Sequence, residues 1–184
     1  RVPGWLDPPV CVFHELASRL GATSRCPLGS FERAALVEEI LHTRGSELFR
    51  NRESVFLAAV DQLVGELAAE GVTPDAFAAA VPQAGMHEPF QRIRDHVMVS
   101  VYRAYCQELD RTGCRDGRDT LVDTAAAIEA DREAFAARLG GRRELRIVGL
   151  SDSRGGWVKL LSVLQASPAI ERIILYSTAP LQMP

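Results

Sequence analysis

The sequence predicts a mainly α fold, a multi-helix bundle or array followed by a short β-α-β unit. Three observations carry this. Up to residue 140, apolar residues recur at three- and four-residue spacing in one segment after another. Glycine or proline closes most of these segments. After Gly140-Gly141 the pattern changes to two short runs of adjacent aliphatic residues on either side of one more amphipathic stretch. The predicted division is a helical subdomain over residues 1–142 and a β-α-β segment of an incomplete α/β domain over 143–184.

Residues 1–9, rich in proline and glycine, form an extended lead-in. Val10–Leu20 places Val10, Phe13, Leu16, Ala17 and Leu20 at helical spacing, and Gly21 stops it. Cys26-Pro27-Leu28-Gly29 is expected as a turn. Ser30 can cap the next helix, which carries Ala34, Leu36, Val37, Ile40 and Leu41 and ends at Gly45. Asn51 caps a third helix with Val55, Ala59, Leu63 and Leu67 on one face and Gly71 just past its end. Thr73-Pro74-Asp75 combines a cap, a proline where no N–H is needed and an acid at the positive helix end. That short helix runs to Pro82.

Phe90–Thr112 is the longest helical stretch, with Ile93, Val97, Val101, Ala104, Tyr105 and Leu109 in phase, and Gly113 ends it. Asp119 caps a helix bearing Leu121, Val122, Ala125 and Ile128, and Arg132–Leu139 is a further short one. Glu144–Leu150 and Ile170–Ser177 then read as strands, with the helix Trp157–Ala166 between them. Parallel strands need such a crossover. Two strands do not make a stable sheet alone, so either Val10–Phe13 adds a strand or the rest of the sheet lies outside this sequence.

Of the 184 residues, 47% are hydrophobic and 24% charged, a globular balance rather than a disordered one. The net charge of −3 rules out a polycation, so nucleic-acid contact requires a local basic patch. All the basic residues are arginine except Lys159. Guanidinium forks suit phosphate and carboxylate, although GC-rich coding gives the same bias. Cys11, Cys26, Cys106 and Cys114 form no C-x-x-C pair, which reads as reduced thiols of a cytoplasmic protein rather than a zinc site. There is no apolar run of membrane-spanning length. The chain opens without Met or a secretory h-region and stops just after a strand-like run, as a piece of a larger protein would.

No complete catalytic signature appears. A phosphate-binding loop of the G-x-x-x-x-G-K-[ST] kind needs glycine amides around the phosphates and a lysine on the terminal ones. In Gly149–Lys159 the glycine spacing is wrong, and Lys159 falls inside a helix. No acid is followed two residues later by lysine, as a magnesium-dependent nuclease core requires. The four histidines share no spacing that makes a site. No cofactor is therefore expected in this chain.

Two places remain for ligand contact. Ser151, Asp152, Ser153 and Arg154, with Gly155, Gly156 and Trp157, follow the first strand. Ligands gather beyond the carboxyl ends of strands in open α/β sheets, and glycine amides there can meet an anion. The competing structural reading is a tight turn with Asp152 or Ser153 capping the helix and Trp157 packing. The long helix offers Arg92, Arg94, His96 and Arg103 as a basic strip, which Arg111, Arg115 and Arg118 continue. Such a strip would give salt-sensitive contacts to phosphates. Asp95, Glu108, Asp110, Asp116 and Asp119 interleave with it, so a solvated mixed face is the alternative. Asp61, Asp110 and Asp123 also read as solvated.

The tail Glu144-Leu-Arg-Ile-Val-Gly-Leu-Ser-Asp-Ser-Arg-Gly-Gly-Trp-Val-Lys-Leu-Leu-Ser-Val-Leu164, with the apolar strand that follows it, resembles a segment of the AddB-like, UvrD-type subunits of helicase-nucleases. Phe13-His-Glu-Leu-Ala-Ser-Arg-Leu20 is similar to the lead-in of that family's helical insertion, and Phe31-Glu-Arg-Ala-Ala-Leu36 to its second helix. Leu150 stands where the family usually has an aromatic residue. The resemblance implies a helical insertion over residues 10–140 that returns into a RecA-like motor fold. It further implies that the ATP site and the exonuclease domain of the parent hydrolase lie outside this chain. The chain itself would be non-catalytic and would supply contacts to DNA, other domains or a partner subunit in double-strand-break repair and recombination. Arg92, Arg94, Arg103 and Arg154 are then the expected phosphate contacts. Two other classes compete: a helical protein–protein interaction module, and a small α/β enzyme using the 151–156 loop with Asp152 as acid or base.

Overall fold

A computed structural model describes residues 15, 19–20, 25–44, 53–81, 89–148 and 155–176, the side chains of 53–55 and 89–92 excepted. It is mainly helical with a few short strands. The chain divides into two compact units, one continuous over Ser24–Asp119 and one discontinuous, made of Arg1–Thr23 and Thr120–Pro184. The change of hydrophobic period near residue 142 is thus a change of element type within the discontinuous unit, and two of the expected helices of the 1–142 subdomain pack there with the β-α-β segment.

The continuous unit runs β1 (Cys26–Leu28), α1 (Ser30–Arg44), α2 (Glu53–Glu70), α3 (Pro74–Ala80), α4 (Pro89–Thr112) and β2 (Cys114–Asp116), and closes with a 3-10 turn over Gly117–Asp119. Its core is Val37 and Ile40 of α1, Val60 and Val64 of α2, and Val101, Tyr102, Tyr105 and Leu109 of α4. Each aliphatic side chain buried there contributes about 1.5–3 kcal/mol. The α2 face differs from the expected one. Leu57, Val60, Val64 and Leu67 turn inward, while Ala59 is exposed. Polar and apolar residues both spread around α2, so periodicity alone leaves its orientation open.

Helix ends follow the sequence closely. Gly71 takes φ 67°, its N–H donates to Ala68 O, and Val72 N–H donates to Leu67 O, closing α2 in a Schellman motif. The Thr73 hydroxyl accepts from the Ala76 N–H at 3.2 Å and Pro74 opens α3, as the sequence predicts. The Tyr102 hydroxyl donates to Val72 O at 2.6 Å, and its ring meets Phe77 edge-on at 6.1 Å, which holds α3 against α4.

The Cys26–Leu28 segment is not the expected turn. It pairs in parallel with Cys114–Asp116, with Cys26 opposite Cys114, Pro27 opposite Arg115 and Leu28 opposite Asp116. Three residues containing a proline carry no readable alternation, and the partner lies far away in sequence. The expected Gly45 and Asn51 boundaries lie outside the described residues.

In the discontinuous unit the order is α5 (Thr120–Ala130), α6 (Arg132–Leu139), β3 (Glu144–Val148), α7 (Gly155–Gln165) and β4 (Arg172–Tyr176). Asp131 caps α6 by accepting from Ala134 N–H at 2.8 Å, and Gly140 ends it at φ 58°. β3 and β4 pair in parallel, Glu144 opposite Arg172 through Val148 opposite Tyr176. Ala125, Ile128, Phe135, Leu160, Leu164 and Leu20 form the core, and Leu145 and Ile173 pack against it. Arg138 Nη1 donates to Leu20 O, which ties the first segment of this unit to α6. The rest of the expected Val10–Leu20 helix, including the Val10–Phe13 strand option, lies outside the described residues.

Candidate functional site

The densest polar cluster gathers where β2 turns into the 3-10 segment. The Asp116 side chain is fully buried. It accepts the Tyr105 hydroxyl at 2.8 Å, the Arg118 main-chain N–H at 3.0 Å, and the Arg118 guanidinium through Nε at 3.0 Å and Nη2 at 2.7 Å. The same guanidinium reaches α2, where Nη1 donates to Asp61 O at 2.7 Å and Nη2 to Asp61 Oδ1 at 3.2 Å. Arg33 Nε of α1 donates to that Oδ1 at 3.0 Å. One chain of charge-assisted hydrogen bonds therefore links α1, α2, α4, β2 and the 3-10 turn. Gly65 gives the guanidinium its room, because a Cβ there would lie 2.0 Å from Arg118 Nη1.

Electrostatics decide what this cluster can do. Burial pushes the Asp116 carboxyl up. The Arg118 side-chain and main-chain hydrogen bonds, its charge and the Tyr105 hydroxyl outweigh burial and hold it below the usual carboxylate range. Burial, with the charge of Asp116, pushes the Tyr105 hydroxyl far up. A carboxylate so saturated with donors makes a poor base and a phenol so raised makes a poor acid. The cluster is built to hold elements together. Sequence reasoning placed Asp116 and Asp61 on a solvated face and Arg118 on the basic strip; the structure buries Asp116 and ties the partly exposed Asp61 and Arg118 to it in one network. The cluster depends on Arg33, Asp61 and Tyr105 being brought from three helices to the Asp116–Arg118 turn, which no local spacing reveals.

Of the strip's other described side chains, Arg94, Arg103 and Arg111 stay at the surface, while Arg115 is half-buried with its Nε shielded from solvent. Arg94 is half-exposed, with Asp95 3.7 Å away. Arg103 is also half-exposed and meets the largely exposed Asp75 at 3.0 Å. Arg111 pairs with Glu108 one helical turn back. Asp110 is exposed and meets Arg25 at 3.0 Å. Arg92 lies on α4, its side chain outside the described residues. A mixed face with arginine heads outward is the result, and each exposed pair is worth at most about 1 kcal/mol.

Of the loop after β3, Ser151, Asp152, Ser153 and Arg154 lie outside the described residues. Gly155 and Gly156 open α7, Gly156 buried, and Trp157 is half-buried at its first turn. Val148 and Tyr176, at the carboxyl ends of the paired strands, are exposed. Among the described residues no group of three or more His, Cys, Asp or Glu side chains could hold a metal ion, and no helix is long and apolar enough to cross a membrane. No protein-family model matches the chain, and no curated protein matches it.

Proposed function

We propose that this chain is a non-catalytic portion of a bacterial DNA helicase-nuclease subunit, and that its helical unit contacts DNA and neighbouring domains during double-strand-break processing. The observation that carries this reading is the interrupted layout. A continuous, mostly helical unit, 24–119, is inserted into a discontinuous one that holds a parallel strand–helix–strand element. The resemblance to AddB-like subunits implies a helical insertion of this kind, drawn more widely over residues 10–140.

For DNA contact the support is narrower. Arg94 and Arg103 present their guanidinium groups at the surface, Arg94 beside the partly exposed Asp95 and Arg103 against the largely exposed Asp75. A phosphate can replace such a carboxylate at little cost, because exposed pairs are weak and a guanidinium takes phosphate in two-pronged geometry. Fluorescence anisotropy of single-stranded, duplex and tailed DNA over a salt series tests the reading. The expected result is affinity that falls as salt rises, with Arg94→Ala and Arg103→Ala each weakening all sequences alike. No measurable affinity for any form at low salt would remove the DNA role and leave the helical interaction module as the better account.

A further inference from the structure

Cys26 stands directly opposite Cys114 in the β1–β2 pair. Neighbouring strands run about 4.8 Å apart, and a disulfide accepts Cα separations of about 4.4–6.8 Å. Register partners alternate in step, so both side chains leave the same face of the pair. Cys26 is exposed, and Cys114 is half-buried against the core of its unit. Each sulfur now rests near a main-chain carbonyl, Cys26 Sγ at 3.9 Å from Pro27 O and Cys114 Sγ at 3.8 Å from Thr112 O. Thiols are weak donors, so turning both side chains toward each other sacrifices little. Cys106 is a different case. Burial pushes its thiol up to about 11, which leaves little of the reactive thiolate at neutral pH.

We infer that Cys26 and Cys114 are a redox modification site, which closes to an intrachain disulfide when the chain meets a small-molecule disulfide such as oxidised glutathione. The exposed Cys26 thiolate attacks one reagent sulfur. The reagent S–S bond breaks, one glutathione leaves as thiolate, and a mixed disulfide stands on Cys26. The Cys114 thiolate then attacks the Cys26 sulfur, forms the Cys26–Cys114 bond and expels the second glutathione. The two protons lost by the protein thiols end on the two glutathione thiols. Two cysteines are oxidised and one reagent disulfide is reduced. Disulfides in reducing compartments are mostly of this transient, sensing kind. The ring so closed, about 90 residues, encompasses nearly the whole continuous unit, and long rings restrict the unfolded chain most.

The reduced full chain, incubated with oxidised glutathione and freed of excess reagent, provides the test. The expected product is two hydrogens lighter than the starting chain, carries no glutathione, and yields under non-reducing digestion a peptide pair joined through Cys26 and Cys114. Its Tm should rise by ~5 °C or more, return to the starting value with dithiothreitol, and not respond to oxidation in Cys26→Ser. That substitution alters an exposed side chain and leaves the core intact. Separate glutathione adducts left on Cys26 and Cys114, a link through Cys11 or Cys106, or an unchanged thiol count would each overturn the assignment.

Discussion

Asp116 carries more of the continuous unit than any surface residue, because its carboxylate meets Tyr105 and Arg118 at once and Arg118 meets α2. Asp116→Asn leaves a guanidinium facing only Asp61 and should cost about 2–3 kcal/mol, below the cost for a fully buried pair because Arg118 is partly exposed. Urea titration measures it. The depressed folded-state value of Asp116 fixes the pH dependence. Above about 3.9, the unfolded-state value for aspartate, the charged cluster contributes in full. As pH falls below that, the unfolded chain binds a proton the folded chain still refuses, and stability declines until the folded value is passed. The difference in urea midpoint between the native chain and Asp116→Asn should therefore shrink between pH 4 and pH 2. Gly65→Ala gives an independent check. Alanine favours a helix by about 1 kcal/mol, but here the new methyl meets a guanidinium held by five donor contacts. A net loss of about 1–3 kcal/mol is expected, and in the Arg118→Ala background the same change should be neutral or stabilising. None of this was legible in the sequence. Asp116-Gly-Arg118 reads as one acid and one base among many, and its meaning comes from Asp61 and Tyr105, which sit elsewhere in the chain.

Helix boundaries were far more legible than helix faces. Thr73-Pro74, Gly71, Gly113 and Gly140 act where their local chemistry says they must, since capping needs only neighbours in sequence. The inward face of α2 and the strand character of Cys26–Leu28 were hidden, because both depend on partners outside the local window. At the candidate interface, Arg103 and Arg94 keep the surface position the sequence suggested, while Arg118 turns inward. Of the short elements, α3 hangs on few contacts, among them the Thr73 cap, the Tyr102–Val72 hydrogen bond and the Phe77–Tyr102 ring contact. Thr73→Ala and Tyr102→Phe should each cost about 1 kcal/mol. Hydrogen exchange should show the loss first as faster exchange of the Pro74–Ala80 amides. Unchanged exchange there, with global destabilisation of that size, would place the stabilising contacts elsewhere.

The chain as a whole was predicted as helices followed by a β-α-β tail, and that order is present with the short strands β1 and β2 added within the helical part. The switch in hydrophobic period at Gly140-Gly141 revealed it, because strand and helix periods differ. How the elements group did not follow, since grouping depends on which faces meet. Among the described residues, the core of the continuous unit draws its members from between Leu28 and Cys114. A fragment spanning 24–119 should therefore keep its helical circular dichroism and melt cooperatively on its own. A broad transition without a midpoint would show that the discontinuous unit supplies part of its stability.

The β1–β2 pair bears on this protein's history as well as its folding. Because Cys26 and Cys114 lie side by side, the chain enters and leaves the inserted unit at nearly the same point. Seen from the flanking segments, everything between them is one long loop with neighbouring ends, and closure entropy grows only slowly with loop length. Descent could lengthen, trim or exchange that insert while the flanking segments met the same two strand ends. A short linker in its place should serve the same purpose.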